Sequence, residues 1–247
     1  MYNKEFEIKL RKEASDFIQS NYLLVNDVTI YLKEIEVYYY EVGKFEDYTV
    51  HQNDLQMNNK HKIYVHRYGK EKDSSYKSSP KNNRGGCDFV LSDTDDIYYS
   101  YLIRSVVINE IPYFGPRKSL NAIIENTGLS FEELEKAEVK VVPFENHHDI
   151  LKTTRIGLGK PTKDEEPLFQ KSELRLIVCD EYFKEKNGYK RRTEAIDNFL
   201  EEQLKDGKMT KAEAIKYSND WFKAVSSWLK EYNADDKSIS NTKPIVS

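Results

Sequence analysis

Apolar residues recur every three to four positions at the start of the chain. Phe6, Leu10, Ala14, Phe17 and Ile18 would share one face of a helix over residues 5–23. The pattern then changes. Residues 28–40 alternate and are rich in Ile, Val and Tyr, which predicts a long strand, since successive strand side chains point to opposite faces. Strand-like runs follow at 62–68, 87–91 and 98–108. Residues 70–84 are rich in Lys, Ser and Asn without apolar periodicity, and read as an exposed loop. Pro116 suits the first turn of a helix whose buried face is Leu120, Ile123 and Ile124. Ser130 and Glu133 have capping-box spacing for a second, short helix. Further strands are expected at 139–144, 153–158 and 174–179. The fold class that results is α+β: a mixed, predominantly antiparallel β core with surrounding helices.

The last part of the chain changes character. Helices are expected at 191–205 and 210–232, the second opened by Thr210 and Glu213 as a capping box. Ala214, Tyr217, Trp221, Val225 and Trp228 form its apolar stripe, for which packing on the β core is the ordinary use and a protein partner the alternative. The expected organisation is an α/β domain over 1–183, a C-terminal helical extension over 184–233 and a polar, disordered tail over 234–247. No internal repeat is present.

Composition narrows the function classes. With 18 Tyr and 11 Phe the chain can bury a substantial core despite its polarity. No apolar run reaches membrane-spanning length, and the opening Met1-Tyr2-Asn3-Lys4-Glu5 has no signal-peptide core, so a cytoplasmic monomer without membrane attachment is expected. Cys87 and Cys179 both lie in strand-like runs and read as core thiols of a reducing compartment. A formal net charge of −4 weighs against a dedicated nucleic-acid binder, although local basic patches suffice for some. His147 and His148 are adjacent and lack the spacing of a zinc site. Gly157 and Gly159 do not open a helix as a nucleotide fingerprint requires.

The candidate chemistry begins at Glu34-Ile35-Glu36-Val37-Tyr38. A carboxylate two residues before an aromatic could activate water beside a flat ring. By itself such a string is more often a solvated strand edge. Other segments give it company, in order along the chain. Ala14-Ser15-Asp16-Phe17-Ile18 is followed by the Glu36 strand, then by Asp47-Tyr48-Thr49-Val50-His51 and Tyr64-Val65-His66-Arg67-Tyr68-Gly69. Tyr101-Leu102-Ile103-Arg104-Ser105, Gly115-Pro116-Arg117-Lys118, Arg155-Ile156-Gly157-Leu158-Gly159 and Leu174-Arg175-Leu176-Ile177-Val178 complete the series. Together, over roughly residues 10–180, they resemble the alkyladenine (3-methyladenine) DNA glycosylase family. Colinearity carries the likeness, since each match is short.

The resemblance implies hydrolysis of the N-glycosidic bond of alkylated or deaminated purines in base-excision repair, with no metal or cofactor. The partner would be double-stranded DNA containing a damaged purine, flipped out of the duplex and held between rings. Glu36 would be the general base, with Glu34 a substitute should the register differ, and Arg104 would help position the water. An arginine in an otherwise apolar strand is costly to bury unless paired, and Glu36 is the natural partner. Tyr38 and His51 would be the faces of the base sandwich, with His61 a rival to His51. His66 stands where the family has a pocket tyrosine, and Asp88 where it has an asparagine that screens purines. Both departures alter selectivity, the first by making one wall titratable near neutral pH, the second by removing amide donors. Tyr68 would wedge into the stack, and Arg117 and Lys118 would meet phosphate at a helix start. Lys70, Lys72, Lys77, Lys81 and Arg84 read as a solvated, charged loop. Two other classes stay open: a catalytically altered binding module, or a hydrolase of nucleosides outside DNA.

Overall fold

The alternating run from residue 28 becomes the strand on which the rest is assembled. In the computed structural model, which describes residues 1–78, 85–145, 148–158, 166–184 and 192–222, the chain divides into two units, Met1–Tyr189 and Lys190–Ser247. The first unit opens with α1 (Lys4–Ser20), β1 (Asn21–Val25), β2 (Val28–Glu41), β3 (Phe45–Glu46) and α2 (Asp54–Asn58). Then come β4 (Ile63–Val65), β5 (Cys87–Val90), β6 (Ile97–Ile108) and β7 (Ile111–Phe114). It continues through α3 (Pro116–Thr127), α4 (Phe131–Lys136), β8 (Val139–Pro143), β9 (Ile150–Thr153), α5 (Glu166–Lys171) and β10 (Arg175–Val178), to a 3-10 turn at Glu181–Lys184.

The strands form a sheet in the order β4-β5-β6-β2-β1-β8, with β10 also on β2, β9 on β10, β3 on β2 and β7 on β6. Every pairing among the described strands is antiparallel. The α+β, predominantly antiparallel class read from the sequence is therefore the class observed.

Period-two alternation sorts the sheet into two chemically different faces. Ile35, Val37 and Tyr39 of β2, Tyr101 and Ile103 of β6 and Phe89 of β5 are buried with Leu10, Ala14 and Ile18 of α1 in one core cluster. Phe17 stacks on Phe89 with centroids 5.6 Å apart, and Phe6 meets Tyr39 edge-on at 4.8 Å. Each fully buried Leu, Ile, Val or Phe of this cluster contributes about 1.5–3 kcal/mol of hydrophobic stabilisation. The intervening residues Glu34, Glu36 and Tyr38 therefore face the other way, opposite α1. Ser119 of α3 anchors that helix to β6 through its hydroxyl, which donates to the Arg104 carbonyl at 3.0 Å.

Several boundaries depart from the sequence reading. The first helix stops at Ser20, because residues 21–25 turn back as β1 through Asn26 and Asp27, both left-handed (φ 47° and 62°), the geometry a two-residue hairpin favours. The strand expected at 153–158 lies earlier, as β9. Past Thr153 the chain leaves the ladder, and the Ile156 amide and the Arg155 side chain bond to Glu36 and Asp47 instead. The loop after Tyr68 is pinned rather than loose: Arg67 Nη1 donates to Ser74 O at 2.6 Å and its Nη2 to Tyr76 Oη at 2.9 Å and to Glu135. The Ser130–Glu133 capping box is present as expected.

In the second unit, α6 (Arg192–Lys205) and α7 (Lys211–Phe222) bring Phe199 and Tyr217 together at 5.3 Å. Thr210 and Glu213 make the expected reciprocal cap, Glu213 N donating to Thr210 Oγ1 at 3.3 Å and Thr210 N to Glu213 Oε2 at 2.7 Å. The Trp221 side chain, Val225, Trp228 and the tail from 234 lie outside the described residues. Among the described residues no helix is long and apolar enough to cross a membrane.

Candidate active site

The face opposite α1 presents a register row: Tyr64 opposite Asp88, Asp88 opposite Leu102, Leu102 opposite Glu36, Glu36 opposite Arg175, and Arg175 opposite Thr153. Beside it, the β2–β6 register shifts between Leu32 and Ile35, and Arg104 falls in that irregularity. The extra residue re-aims its side chain across β2, as bulges do. Arg104 thus spans both carboxylates, with Nε donating to Glu34 Oε1 at 2.9 Å and Nη1 turned to Glu36 Oε1.

 The Arg104 Nη1–Glu36 Oε1 distance is 3.1 Å, so the two side chains form a direct ion pair.

Glu36 is wholly buried. Its Oε1 also accepts from the Ile156 amide at 2.7 Å, and its Oε2 from the Tyr38 hydroxyl at 3.0 Å. Glu34 is clamped from the other side, Oε1 accepting from Arg175 Nε at 2.6 Å and Oε2 from Ser105 Oγ at 2.6 Å. Burial alone would push the Glu34 carboxyl up, but Arg175, Arg104 and Ser105 together hold it below the usual carboxylate range. Burial works against the Arg104 charge in the same way, and Glu36 and Glu34 outweigh it. Arg155 closes the cluster: Nη1 donates to Asp47 Oδ2 at 2.5 Å, Nη2 to Phe169 O at 3.0 Å, and the guanidinium lies 4.8 Å from the Tyr38 ring centroid. Three buried carboxylates (Glu34, Glu36, Asp47) thus meet three buried guanidiniums (Arg104, Arg155, Arg175). The charges balance, which is the condition for burying them at all. Burial, then Glu36, push the Tyr38 hydroxyl well above its ordinary range, so it stays a neutral donor.

A second cluster adjoins the first on the β4–β5 side. Asp88 is buried, with Oδ2 accepting from Gln56 Nε2 at 2.8 Å and Ser100 Oγ at 2.9 Å, and Oδ1 lying 2.6 Å from His66 Nε2. Burial favours its neutral form, yet His66 and Ser100 hold its carboxyl below the usual range. The rings of His51, Tyr64 and His66 form a trio with centroids 5.6–5.7 Å apart. Lys77 Nζ is 3.0 Å from His51 Nε2, while His51 Nδ1 bonds the Tyr64 hydroxyl. An ammonium can only donate, so Nε2 accepts and the ring proton sits on Nδ1. Burial, with Lys77 and His66 adding to it, pushes His51 down to about 4, so this ring is neutral near pH 7.

Glu36, Arg104 and Tyr38 therefore meet, as do His51, His66 and Asp88. Asp88 is also close enough to act on the Tyr38 hydroxyl electrostatically. His61 turns instead to Phe89, 5.9 Å away, on the α1 side of the sheet. Tyr68 is 60% exposed, next in chain to this cluster. Arg117 and Lys118 lie at the start of α3, where Arg117 Nε bonds Asn121 of its own helix at 3.0 Å. A Cβ built on Gly86 would come within 2.8 Å of Pro116 Cβ, so that helix start abuts β5. Lys77, expected on a solvated loop, is half-buried against His51. Lys81, Arg84, His147 and Gly159 lie outside the described residues.

Sequence reasoning gave no role to Asp47, Gln56, Tyr64, Arg155 or Arg175. Arg175 carried a usable signal, a basic residue inside the apolar run 174–178. Among the described residues no three His, Cys, Asp or Glu side chains are arranged to hold a metal ion. No protein-family model and no curated protein matches this chain.

Proposed function

We propose that this chain hydrolyses the N-glycosidic bond of a damaged purine in double-stranded DNA, as the glycosylases it resembles do. The observation that carries the reading is the Glu36–Arg104 ion pair, formed across 68 residues of sequence on the same sheet face as an aromatic and imidazole cluster. Glu36 is the general base. The Tyr38 hydroxyl leaves Oε2 to admit a water, and Arg104 keeps the carboxylate fixed while the water attacks the anomeric carbon. The purine stacks between Tyr38 and His51, and each stacked ring offsets about 1–3 kcal/mol of the unstacking cost. Exposed Tyr68 fills the gap left in the duplex, and Arg117 and Lys118 meet phosphate.

The test is base release from duplexes carrying hypoxanthine, 3-methyladenine or 7-methylguanine. Wild-type protein should release at least one of them, and Glu36→Gln should lower that rate by about 10²-fold or more while circular dichroism stays native. Unchanged turnover in the variant removes Glu36 from the chemistry. No release from any duplex by wild-type protein favours the binding-module reading, which the complete hydrogen bonding of Glu36 also suits.

A further inference from the structure

We propose that Tyr40 and Tyr98 form an open aromatic corner, bounded at one end by Asp54, that binds a methylated lysine side chain from a basic segment of a protein partner. The proposal stands apart from the base-release reading. Tyr40 lies two residues beyond Tyr38 on β2, so it shares the sheet face opposite α1. Register places Tyr98 of β6 directly opposite it on one side and Glu46 of β3 on the other. The Tyr40 and Tyr98 rings have centroids 6.2 Å apart and planes at 69°, and Tyr48 meets Tyr40 at 6.2 Å and 66°. Rings at such angles meet as walls rather than covering one another, and all three stay half-buried. Neither the Tyr40 nor the Tyr98 hydroxyl has a hydrogen-bond partner among the described residues.

Elsewhere on this fold the chain lays its own cations over its tyrosines. Arg155 lies 4.8 Å from the Tyr38 centroid, Arg67 4.0 Å from Tyr76, Lys44 5.8 Å from Tyr39 and Lys33 5.9 Å from Tyr31. Among the described residues no Lys or Arg covers Tyr40 or Tyr98, which leaves their faces to a cation from outside. A ring face attracts ammonium through its quadrupole, and a methylated ammonium loses less hydration on reaching it than a bare one. The charges around the corner narrow the ligand further. Glu46 is already engaged by the N-terminal ammonium at 3.0 Å, the Tyr48 hydroxyl at 2.9 Å and the Gly43 amide at 2.8 Å. Asp54 is exposed at the start of α2, and its carboxylate has no hydrogen bond or ion pair among the described residues. It is still near enough to act on Tyr98, whose hydroxyl is raised by burial and then by Asp54. Asp95 and Asp96, both exposed, come just before Tyr98 in the chain. Such an anionic rim repels phosphate, which sets aside a choline lipid headgroup and nucleic acid, and it attracts a lysine flanked by further basic residues.

The test titrates the full chain with tetramethylammonium while NMR follows the tyrosine rings, with tert-butanol, a neutral molecule of similar shape, in parallel. Tetramethylammonium should shift the Tyr40 and Tyr98 signals saturably, and tert-butanol should not. Tyr98→Leu keeps apolar bulk without a ring face and should weaken binding about tenfold. Asp54→Asn, at an exposed position, should weaken it about threefold, a difference that shrinks at about 1 M salt. A lysine-rich peptide with one trimethyllysine should produce the same shifts at lower concentration than its unmethylated form, and phosphatidylcholine vesicles should produce none. An equal response to tert-butanol, no saturable shift, or shifts unchanged in both variants overturns the corner as a cation site. Equal binding of the two peptides overturns methyllysine as the ligand, and binding of vesicles but not peptide overturns the protein partner. Where Tyr98→Leu does not fold, Asp54→Asn and the tert-butanol comparison decide. None of these readouts involves base release, so failure here leaves Glu36 in place.

Discussion

Replacing Glu34 by glutamine separates the structural carboxylate from the one assigned to chemistry. Glu34 accepts from Arg104 Nε at 2.9 Å, Arg175 Nε at 2.6 Å and Ser105 Oγ at 2.6 Å, and Arg175 has no exposed surface. The amide keeps the shape and one oxygen for the arginines, and its NH2 can donate to Ser105 after the hydroxyl rotates. It removes the charge that offsets two guanidiniums. Removing one partner of a buried pair costs about 3–5 kcal/mol, and the retained hydrogen bonds place this change near 3. For a chain of this size that corresponds to a Tm lowered by about 6–12 °C. Urea unfolding followed by circular dichroism measures it. The pH dependence supplies a second check. The folded Glu34 carboxyl lies below its unfolded value, so its contribution is complete above about pH 4.3 and is lost as pH falls from there through the folded value. The difference between wild-type and variant stability should shrink over that acid range. A loss under about 1 kcal/mol at neutral pH, or a difference that does not change with acidification, would refute the assignment of Glu34 as the charge clamp.

Two further changes probe how the site is held. Gly86→Ala would put a methyl 2.8 Å from Pro116 Cβ and 3.3 Å from Leu102 Cδ1, and should cost about 1–3 kcal/mol in chemical denaturation; unchanged stability would mean that the α3 start can retreat. Lys77→Met removes a charge that helps keep His51 neutral, so an NMR titration should find His51 higher than about 4, yet still below its ordinary value because burial remains the larger cause; an unmoved His51 would discount the Lys77 contact.

The long elements were legible because their periods run for many residues. β2 alternates over much of its 14 residues, β6 is a 12-residue run rich in Ile, Val and Tyr, and α1 keeps its apolar stripe for four turns. β1 escaped because Leu23, Leu24 and Val25 continue the apolar content of the helix before it, and only Asn26-Asp27 marks the turn. α2 and α5 are too short to show a period. In the site, Arg104 could be paired with Glu36 because a guanidinium in an apolar strand must find a carboxylate. Arg175 obeys the same rule and was passed over. Asp47 and Arg155 were not legible as a pair, since both lie on irregular backbone 108 residues apart, where no spacing rule connects them. Lys77 looked solvated because its neighbours are polar, and only the fold brings His51 to it.

The order in which the chain supplies its buried charges has a consequence for synthesis. By residue 150 a growing chain has delivered Glu34, Glu36 and Asp47 but only Arg104 of the three guanidiniums. Two counter-charges arrive afterwards, with Arg155 and Arg175. Until then three carboxylates share one guanidinium, which opposes closure of the sheet over them, so the polar face is locked by the segments that emerge last, and protein cut short before them leaves its carboxylates to water.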